Sequence, residues 1–546
     1  MATCVRYLAT FFLLGFIATR ADAQCFVLSP DSFRHYADYF NASDEELYTQ
    51  YYPDSRAWSF LKANIPFFEC PDKSLEQTYY FRWWTYRKHI KKTGDGFIVT
   101  EFLPPVGWAG KDNSISCALG HHFYEGRWLR DPVYLDDYMK FWMTTGAPTL
   151  RNYSSWIADA WLAFLKVHPG EENKVRALDG LIDNYRRWEA SHRAPGDGLF
   201  WQTDGADGME VSAGGQIHNG GVPAHSYRAV RPTLNSYLYG DAKAIATLAA
   251  RAGDRKTSEA FRKKAGVLKA GVQRLLWNDS LQFFGSRALN GDSVAPALLP
   301  VRELIGLIPW YFDLPDDSTK YSVAWRQLED RGGFNAPYGP TTTEQRSPFF
   351  QIRYDGHECQ WNGPSWPYAT SQTLTAMANL LDDYAHTPVT PMDYYALLDT
   401  YSRSQRRLQP SGNILCWIDE NLNPYTGDWI SRTRLKNWPG SPWPADKGGK
   451  ERGKDYNHST FCDLVISGLI GIRPSLGDTL KVNPLIPVGA WDYFCLDNVA
   501  YHGKTITIVY DRFGIKYHRG KGFFIFVNGR MAYHSASVQK ASISLI

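Results

Sequence analysis

Two stretches of this 546-residue chain set carboxylates where they could do acid–base work. In "FWQTDGADGMEVSAGG", residues 200–215, Asp204, Asp207 and Glu210 follow at three-residue spacing among glycines, beside Trp201. In "WIDENLNPYTGDW", residues 417–429, Asp419 and Glu420 precede a turn made by Asn423, Pro424, Thr426 and Gly427, with Trp417 and Trp429 on its flanks. Clustered Asp side chains also suit calcium, but the full calcium-loop spacing is absent, so a catalytic carboxylate is the better reading. Cleavage of a glycosidic bond needs two carboxyl groups: one protonates the leaving oxygen, the other activates water or attacks the sugar. The acid must keep its proton near neutral pH, and burial among apolar rings promotes that.

Other segments supply binding chemistry. "HECQWNGPSWPYATSQTL", 357–374, turns sharply at Gly363-Pro364 into a helix. Trp361, Asn362 and Trp366 there suit a sugar site, although part of the segment also reads as a buried aromatic helix start. "GHHFYEGRWLRD", 120–131, concentrates His121, His122, Glu125, Arg127, Trp128 and Asp131. It reads equally as a helix start with an ion pair and as a binding loop. "KDYNHSTFCD", 454–463, adds Tyr456, Asn457 and His458. Tyr and His that abstract a proton are also the equipment of a polysaccharide lyase, but a lyase favours a basic cleft and acids dominate these loops. A non-catalytic glycan binder would keep the tryptophans and need neither Glu210 nor Glu420.

The elements that must position these loops are mostly helical. Helices are expected at about 74–92, 131–144, 149–167, 174–189, 226–252, 255–277, 297–311, 320–330, 364–383, 391–409 and 459–470. In 174–189, Leu178, Leu181, Ile182, Tyr185 and Trp188 recur at helical spacing. Long loops, 101–130, 193–225, 333–363 and 411–458, alternate with short ones, and long loops on a helical scaffold carry function. Paired helices with every second loop long suggest a closed toroid of helical hairpins. After about 476, "DTLKVNPLIP", "KTITIVYDRFGIKYHRG" and "GFFIFVNGRMAYH" read as short strands of a small antiparallel sheet.

Bulk composition narrows the classes. Hydrophobic residues are 44% and charged residues 21%, a globular balance. Aromatic residues reach 15%, which fits a Trp-rich core for the most part and sugar-stacking faces for the rest. A formal charge of +3 with no basic run argues against nucleic acid. The start, "MATCVRYLATFFLLGFIATRADAQ", reads as a secretory signal cleaved after Ala23. A lipid anchor would need Cys25 at the new terminus, and "RADAQC" lacks the apolar-small run of a lipoprotein signal. Seven cysteines follow the signal without metal-type spacing, room for one or two disulfides in a secreted protein. The expected organisation is signal peptide 1–23, N-terminal segment 24–110, helical toroid 111–475 and β-domain 476–546.

At the chemical loops the sequence resembles a family. "ENLNPYTG", 420–427, is similar to the E-N-x-N-P-x-T-G loop of glycoside hydrolases in the family 63 and mannosylglycerate-hydrolase-like group. "NGPSWP", 362–367, resembles that group's Gly-Pro-x-Trp helix start, and "YNHSTFCDLVISGLIGIRP", 456–474, its closing helix. "DGMEVS", 207–212, resembles its S-G-M-D-N-S loop, with Glu210 where the family has Asp. The resemblance implies an (α/α)6 toroid with a C-terminal β-domain, inverting hydrolysis of a terminal sugar, and no cofactor or metal. It implies Glu420 as general base and Glu210 as general acid, with Asp207 as the alternative acid because Glu is one carbon longer than Asp. It further implies that Arg127, Trp128 and Asp131 bind the deepest sugar, while Trp201, Trp361, Asn362, Trp366, Trp417 and His458 shape the pocket. Hexose, rhamnose and arabinose are all compatible with these residues.

Overall fold

The computed structural model describes residues 26–170, 176–196, 198–224, 226–353 and 356–546. The expected signal, Cys4 and Cys25 lie outside them.

The chain is a mainly helical toroid with a C-terminal antiparallel β-domain. Among the described residues, six inner helical segments follow one another around the ring: Leu119–Gly126, Ile157–Leu165, Pro232–Arg251, Leu304–Phe312, Pro367–Asp383 and Leu464–Leu469. Each packs on the next. Arg127 closes the ring by pairing with Asp463 at 2.7 Å. The outer layer comprises Lys73–His89, Val133–Met143, Leu178–His192, Arg255–Leu275, Thr319–Leu328 and Pro391–Ser404. Helical periodicity explains the layering. In Leu178–His192, Leu181, Ile182, Tyr185 and Trp188 face inward while the intervening polar residues are more exposed.

Lys73–His89 begins at Asp72, whose carboxylate accepts from the backbone N–H of Ser74 and Leu75. It lies within the segment read as preceding the toroid, yet it packs against Pro391–Ser404 and stands in the outer layer. Two boundaries moved for identifiable reasons. The helix expected from 149 starts at Ile157, where Asp241 of the neighbouring helix accepts from the N–H groups of Ala158 and Asp159 at 2.9 and 3.0 Å. The helix expected at 297–311 shortens to tight 310 turns over Leu304–Phe312, with Pro309 inside removing one donor.

The C-terminal sheet contains a strand from the other end of the chain. The order is β1 (Phe67–Glu69), β2 (Tyr493–Tyr501), β3 (Lys504–Asp511), β4 (Gly522–Val527) and β5 (Arg530–Ser535), all antiparallel. Phe67 stands opposite Asp497. The inner face of the sheet, including Leu496, Ile508 and Ile525, joins the main hydrophobic core of the toroid. Half of the 20 tryptophans (Trp83, Trp84, Trp128, Trp142, Trp156, Trp161, Trp188, Trp310, Trp325 and Trp429) are fully buried there, as a Trp-rich core requires. Among the described cysteines, Cys70, Cys117, Cys359, Cys416 and Cys462 are free thiols. No helix among the described residues is long and apolar enough to cross a membrane.

Candidate active site

A cavity of about 380 Å3 opens among the long loops. Glu101, Glu210, Cys359, Trp361, Trp366, Arg452, Tyr456 and His458 border it, with Phe102 and Trp108 on its apolar side. Trp361 and Trp366 stack at 4.4 Å between centroids and 17° between planes, a flat double ring in the wall.

Glu210 is delivered by a tightly constrained loop. Gly208 has φ +73°, and a Cβ there would lie 2.6 Å from the Cys117 sulfur, so only glycine fits. Val211 has φ +56°, a costly conformation for a β-branched residue. The Trp361 N–H holds this turn by donating to the carbonyls of Glu210 and Val211, at 3.1 and 3.2 Å. Glu210 keeps part of its area accessible because it borders the cavity. Burial in the surrounding protein, aided by the neighbouring Glu420 carboxylate, pushes its pKa up to about 8. It is therefore a carboxylic acid at neutral pH.

Glu420 is held differently. One carboxylate oxygen accepts from Arg452 Nε at 2.9 Å and Nη2 at 2.7 Å. The other accepts from Ser431 Oγ at 2.7 Å and Cys359 Sγ at 3.2 Å. Cys359 and Arg452 border the cavity, and Glu420 sits immediately behind them. Its loop is rigid: Leu422 bridges to both Ser365 and Trp429, and the Asn421 side chain bonds Ser431 N and Glu358 O. Gly427 has φ +74° and lies against Tyr338, where a Cβ would come within 2.6 Å. The flanking tryptophans brace this loop from behind. Trp429 Nε1 donates to the Arg406 carbonyl, and Arg407 covers the Trp417 ring at 3.9 Å.

A third carboxyl, Glu101, borders the same cavity and escaped the reading from sequence. It receives the Tyr456 hydroxyl on one oxygen. Burial, with a further push from Glu420, raises its pKa to about 8 against the opposing Tyr456 hydrogen bond. A lone Glu at the start of a Pro-rich loop carried no pattern to mark it. Cys359 and Arg452 were missed as well; their proximity to Glu420 is created only by folding.

The other expected site residues divide. Trp361, Trp366 and His458 border the cavity with Glu210. Asn362 lies behind the wall, donating to Gln216 Oε1 at 2.9 Å. Asp207 does not suit the acid role: its carboxylate pairs with Arg231 Nε at 2.6 Å and also takes the Ser154 and Thr233 hydroxyls. Arg127 and Trp128 do not reach this cavity, because both bind Asp463. Asp131 lies just before the helix Val133–Met143 and accepts from Val133 N at 3.1 Å. Trp201 stacks on His192 and beneath Arg228, and Trp417 lies under Arg407, so neither borders the cavity. The 120–131 cluster is a structural hub: Glu125 accepts the backbone N–H groups of Phe461, Cys462 and Asp463. Arg127 instead borders a second cavity of about 420 Å3, whose wall includes the Arg127–Asp463 and Arg473–Asp382 ion pairs and excludes both Glu210 and Glu420.

Among the described residues one group could hold a metal ion: the ligand atoms of His357, Glu358 and Cys359 lie within 4.8 Å of one another. Glu358, however, already pairs with Arg452 and Lys447, each at 3.1 Å, and those cations oppose a metal there. Asp204 and Asp207 are turned to protein donors, which leaves no calcium loop around Glu210 among the described residues.

A helical toroid with a C-terminal β-domain, bearing carboxyl groups around a tryptophan-walled cavity, is the build of a glycoside hydrolase. A family profile, the mannosylglycerate hydrolase MGH1-like glycoside hydrolase domain, matches residues 111–459, and the C-terminal domain of glycosyl hydrolase family 65 matches residues 472–532. The chain belongs to the MGH1-like glycoside hydrolases. Among solved structures, a protein named sialidase is 42% identical over 95% of this chain, with a TM-score of 0.85. This chain spans 45% of the length of that protein. A family 78 rhamnosidase from Bacillus sp. GL1 shares the fold at 11% identity and a TM-score of 0.50, over 82% of this chain and 40% of its own. A family 63 mannosylglycerate hydrolase from Thermus thermophilus aligns over 71% of this chain and all of its own, at 12% identity and a TM-score of 0.48.

Proposed function

We propose that the protein is an exo-acting, inverting glycosidase that removes a terminal neutral sugar from an oligo- or polysaccharide. Glu210 serves as general acid and Glu420 as general base. The observation that carries this reading is the unequal setting of the two carboxyls: Glu210 is protonated against an apolar wall, while Glu420 is ion-paired with Arg452. Glu210 donates its proton to the glycosidic oxygen, and Glu420 takes a proton from the water that attacks the opposite face of the sugar. The stacked Trp361–Trp366 pair packs the sugar's C–H face. A cavity of about 380 Å3 suits one sugar ring and part of the next, which supports action at a chain end. A neutral sugar is favoured because Arg452 and Lys447, the cavity's Arg and Lys among the described residues, are both engaged by glutamates and are not free for a sugar carboxylate. For that reason the sialidase name of the longer relative is not carried over. A lyase reading finds little support: the Tyr456 hydroxyl that would act as base is buried, pushed well above its ordinary pKa and bonded to Glu101. The apolar N-terminal run supports secretion or a periplasmic location.

The test is a panel of 4-nitrophenyl glycosides of hexoses, pentoses and 6-deoxyhexoses, with the product anomer followed by proton NMR. Hydrolysis of at least one member with inversion, abolished in Glu420→Gln, is expected. A retained anomer, or full activity in Glu420→Gln, would overturn the reading.

A further inference from the structure

Four polar atoms of residues in the cavity wall are buried and lack a hydrogen-bond partner in the protein: Glu101 Oε2, Trp361 Nε1 and the two ring nitrogens of His458. Buried polar groups in folded proteins are almost always hydrogen-bonded, and the exceptions at a cavity mark where a ligand supplies the bond. Glu101 is also the more firmly oriented of the cavity's two protonated carboxyls. Its backbone carbonyl accepts from Asn457 N at 3.1 Å, and Tyr456 fixes its Oε1. The Tyr456 ring is itself held against Phe102 and His458, at 4.6 and 3.8 Å between centroids. Only Oε2 is left for another molecule.

We propose that Glu101 is a substrate-binding residue that reads one sugar hydroxyl through its free Oε2, with Trp361 Nε1 donating to a second sugar oxygen. This rests on the glycosidase reading above and extends it by assigning the groups that select the sugar. A hydroxyl both donates and accepts, so it satisfies an orphaned carboxyl oxygen in either protonation state. Glu101 holds its proton up to about pH 8 and therefore donates at neutral pH. A second role as proton donor to the leaving group is not needed, because Glu210 borders the same cavity with its own proton. A site built to bond a hydroxyl rejects the analogue that lacks it, since the protein group is then left unpaired.

The experiment uses the full chain, the 4-nitrophenyl glycoside turned over fastest, its monodeoxy analogues and its dinitrophenyl counterpart. Glu101→Leu should lower kcat/KM at least tenfold, chiefly through KM, and by the same factor for both leaving groups. For one monodeoxy glycoside that loss should shrink to about twofold, and Glu101→Gln should recover most of the wild-type value on the parent. Equal losses on every monodeoxy analogue, or kinetics in Glu101→Leu like those of the wild type, would overturn the proposal. If Glu101→Leu does not fold, Glu101→Asp, which withdraws the carboxyl by one carbon, carries the same comparison. Turnover by the wild type separates the two readings. A wild type that neither hydrolyses the panel nor binds the free monosaccharides in saturation-transfer NMR overturns the glycosidase reading and this one with it.

Discussion

Arg452 grips one oxygen of Glu420 with both Nε and Nη2, at 2.9 and 2.7 Å, while no ion pair reaches Glu210 among the described residues. The two carboxyls share one cavity region yet meet opposite electrostatics. Removing the cation should expose this dependence. Arg452→Met strands Glu420 as a buried charge, a change that typically costs about 3–5 kcal/mol. Thermal or denaturant unfolding should report that loss, and kcat should fall with it. An unchanged midpoint would mean that Arg452 does not hold Glu420 as described.

The pH dependence follows from the protonated carboxyls. As the proposed general acid, Glu210 would work only with its proton, so kcat/KM should decline as pH rises through about 8. Glu101→Gln should leave that alkaline limb in place, whereas Glu210→Gln, assayed on a dinitrophenyl glycoside, should remove it.

Stability should follow the same groups. The folded chain keeps protons on Glu101 and Glu210 up to about pH 8, whereas the unfolded chain releases them near pH 4. A raised folded pKa gives stability that is full below the unfolded value and lost as pH climbs through the folded one. Glu101→Gln should therefore melt higher than wild type at pH 8.5 and no higher at pH 4, measured by scanning calorimetry.

Cys359 places a thiol on the cavity wall, 3.2 Å from Glu420. Burial pushes this thiol well above its ordinary pKa, so alkylation by N-ethylmaleimide should be slow at pH 7. Once formed, the adduct should abolish activity by filling the cavity. Cys359→Ser should keep activity within about tenfold and resist the reagent, because a hydroxyl still donates to Glu420.

Glu125 should matter for stability alone. Its carboxylate gathers three backbone N–H groups, and Glu125→Gln turns an amide donor toward them. A loss of about 2 kcal/mol in unfolding free energy is expected, with KM unchanged.

The toroid was legible because its long helices carry strong periodicity and the chain after about 476 switches to alternating strands. At Leu119–Gly126 a helix start and a binding loop read equally well, because its polar residues His121, His122 and Glu125 are buried together with its apolar ones. Strand β1 was equally hidden: three residues gain a sheet only through pairing with Tyr493–Tyr501. In the site, Glu210 and the Trp361–Trp366 pair stood out because glycines and prolines framed them. Arg127, Trp128 and Asp131 had the right chemistry for sugar and the wrong partners. Their side chains are engaged by Asp463 at the ring closure and by the backbone at the start of the next helix, which spacing along the chain does not reveal. Glu101 shows the converse, an isolated acid whose proposed role depends on the Tyr456 hydroxyl that folding brings to it.

The central claim is that Glu210 delivers the proton to the leaving group. The direct measurement is kcat/KM of Glu210→Gln on aryl glycosides of rising leaving-group acidity. With an alkyl or phenyl leaving group the variant should lose on the order of 10²–10⁴-fold. With a dinitrophenyl group, which departs without help, the loss should fall to within about tenfold, the remainder reflecting lost hydrogen bonding. A loss of the same size across the whole series would show that Glu210 binds or supports the site without protonating the leaving oxygen, and its assignment as general acid would be wrong.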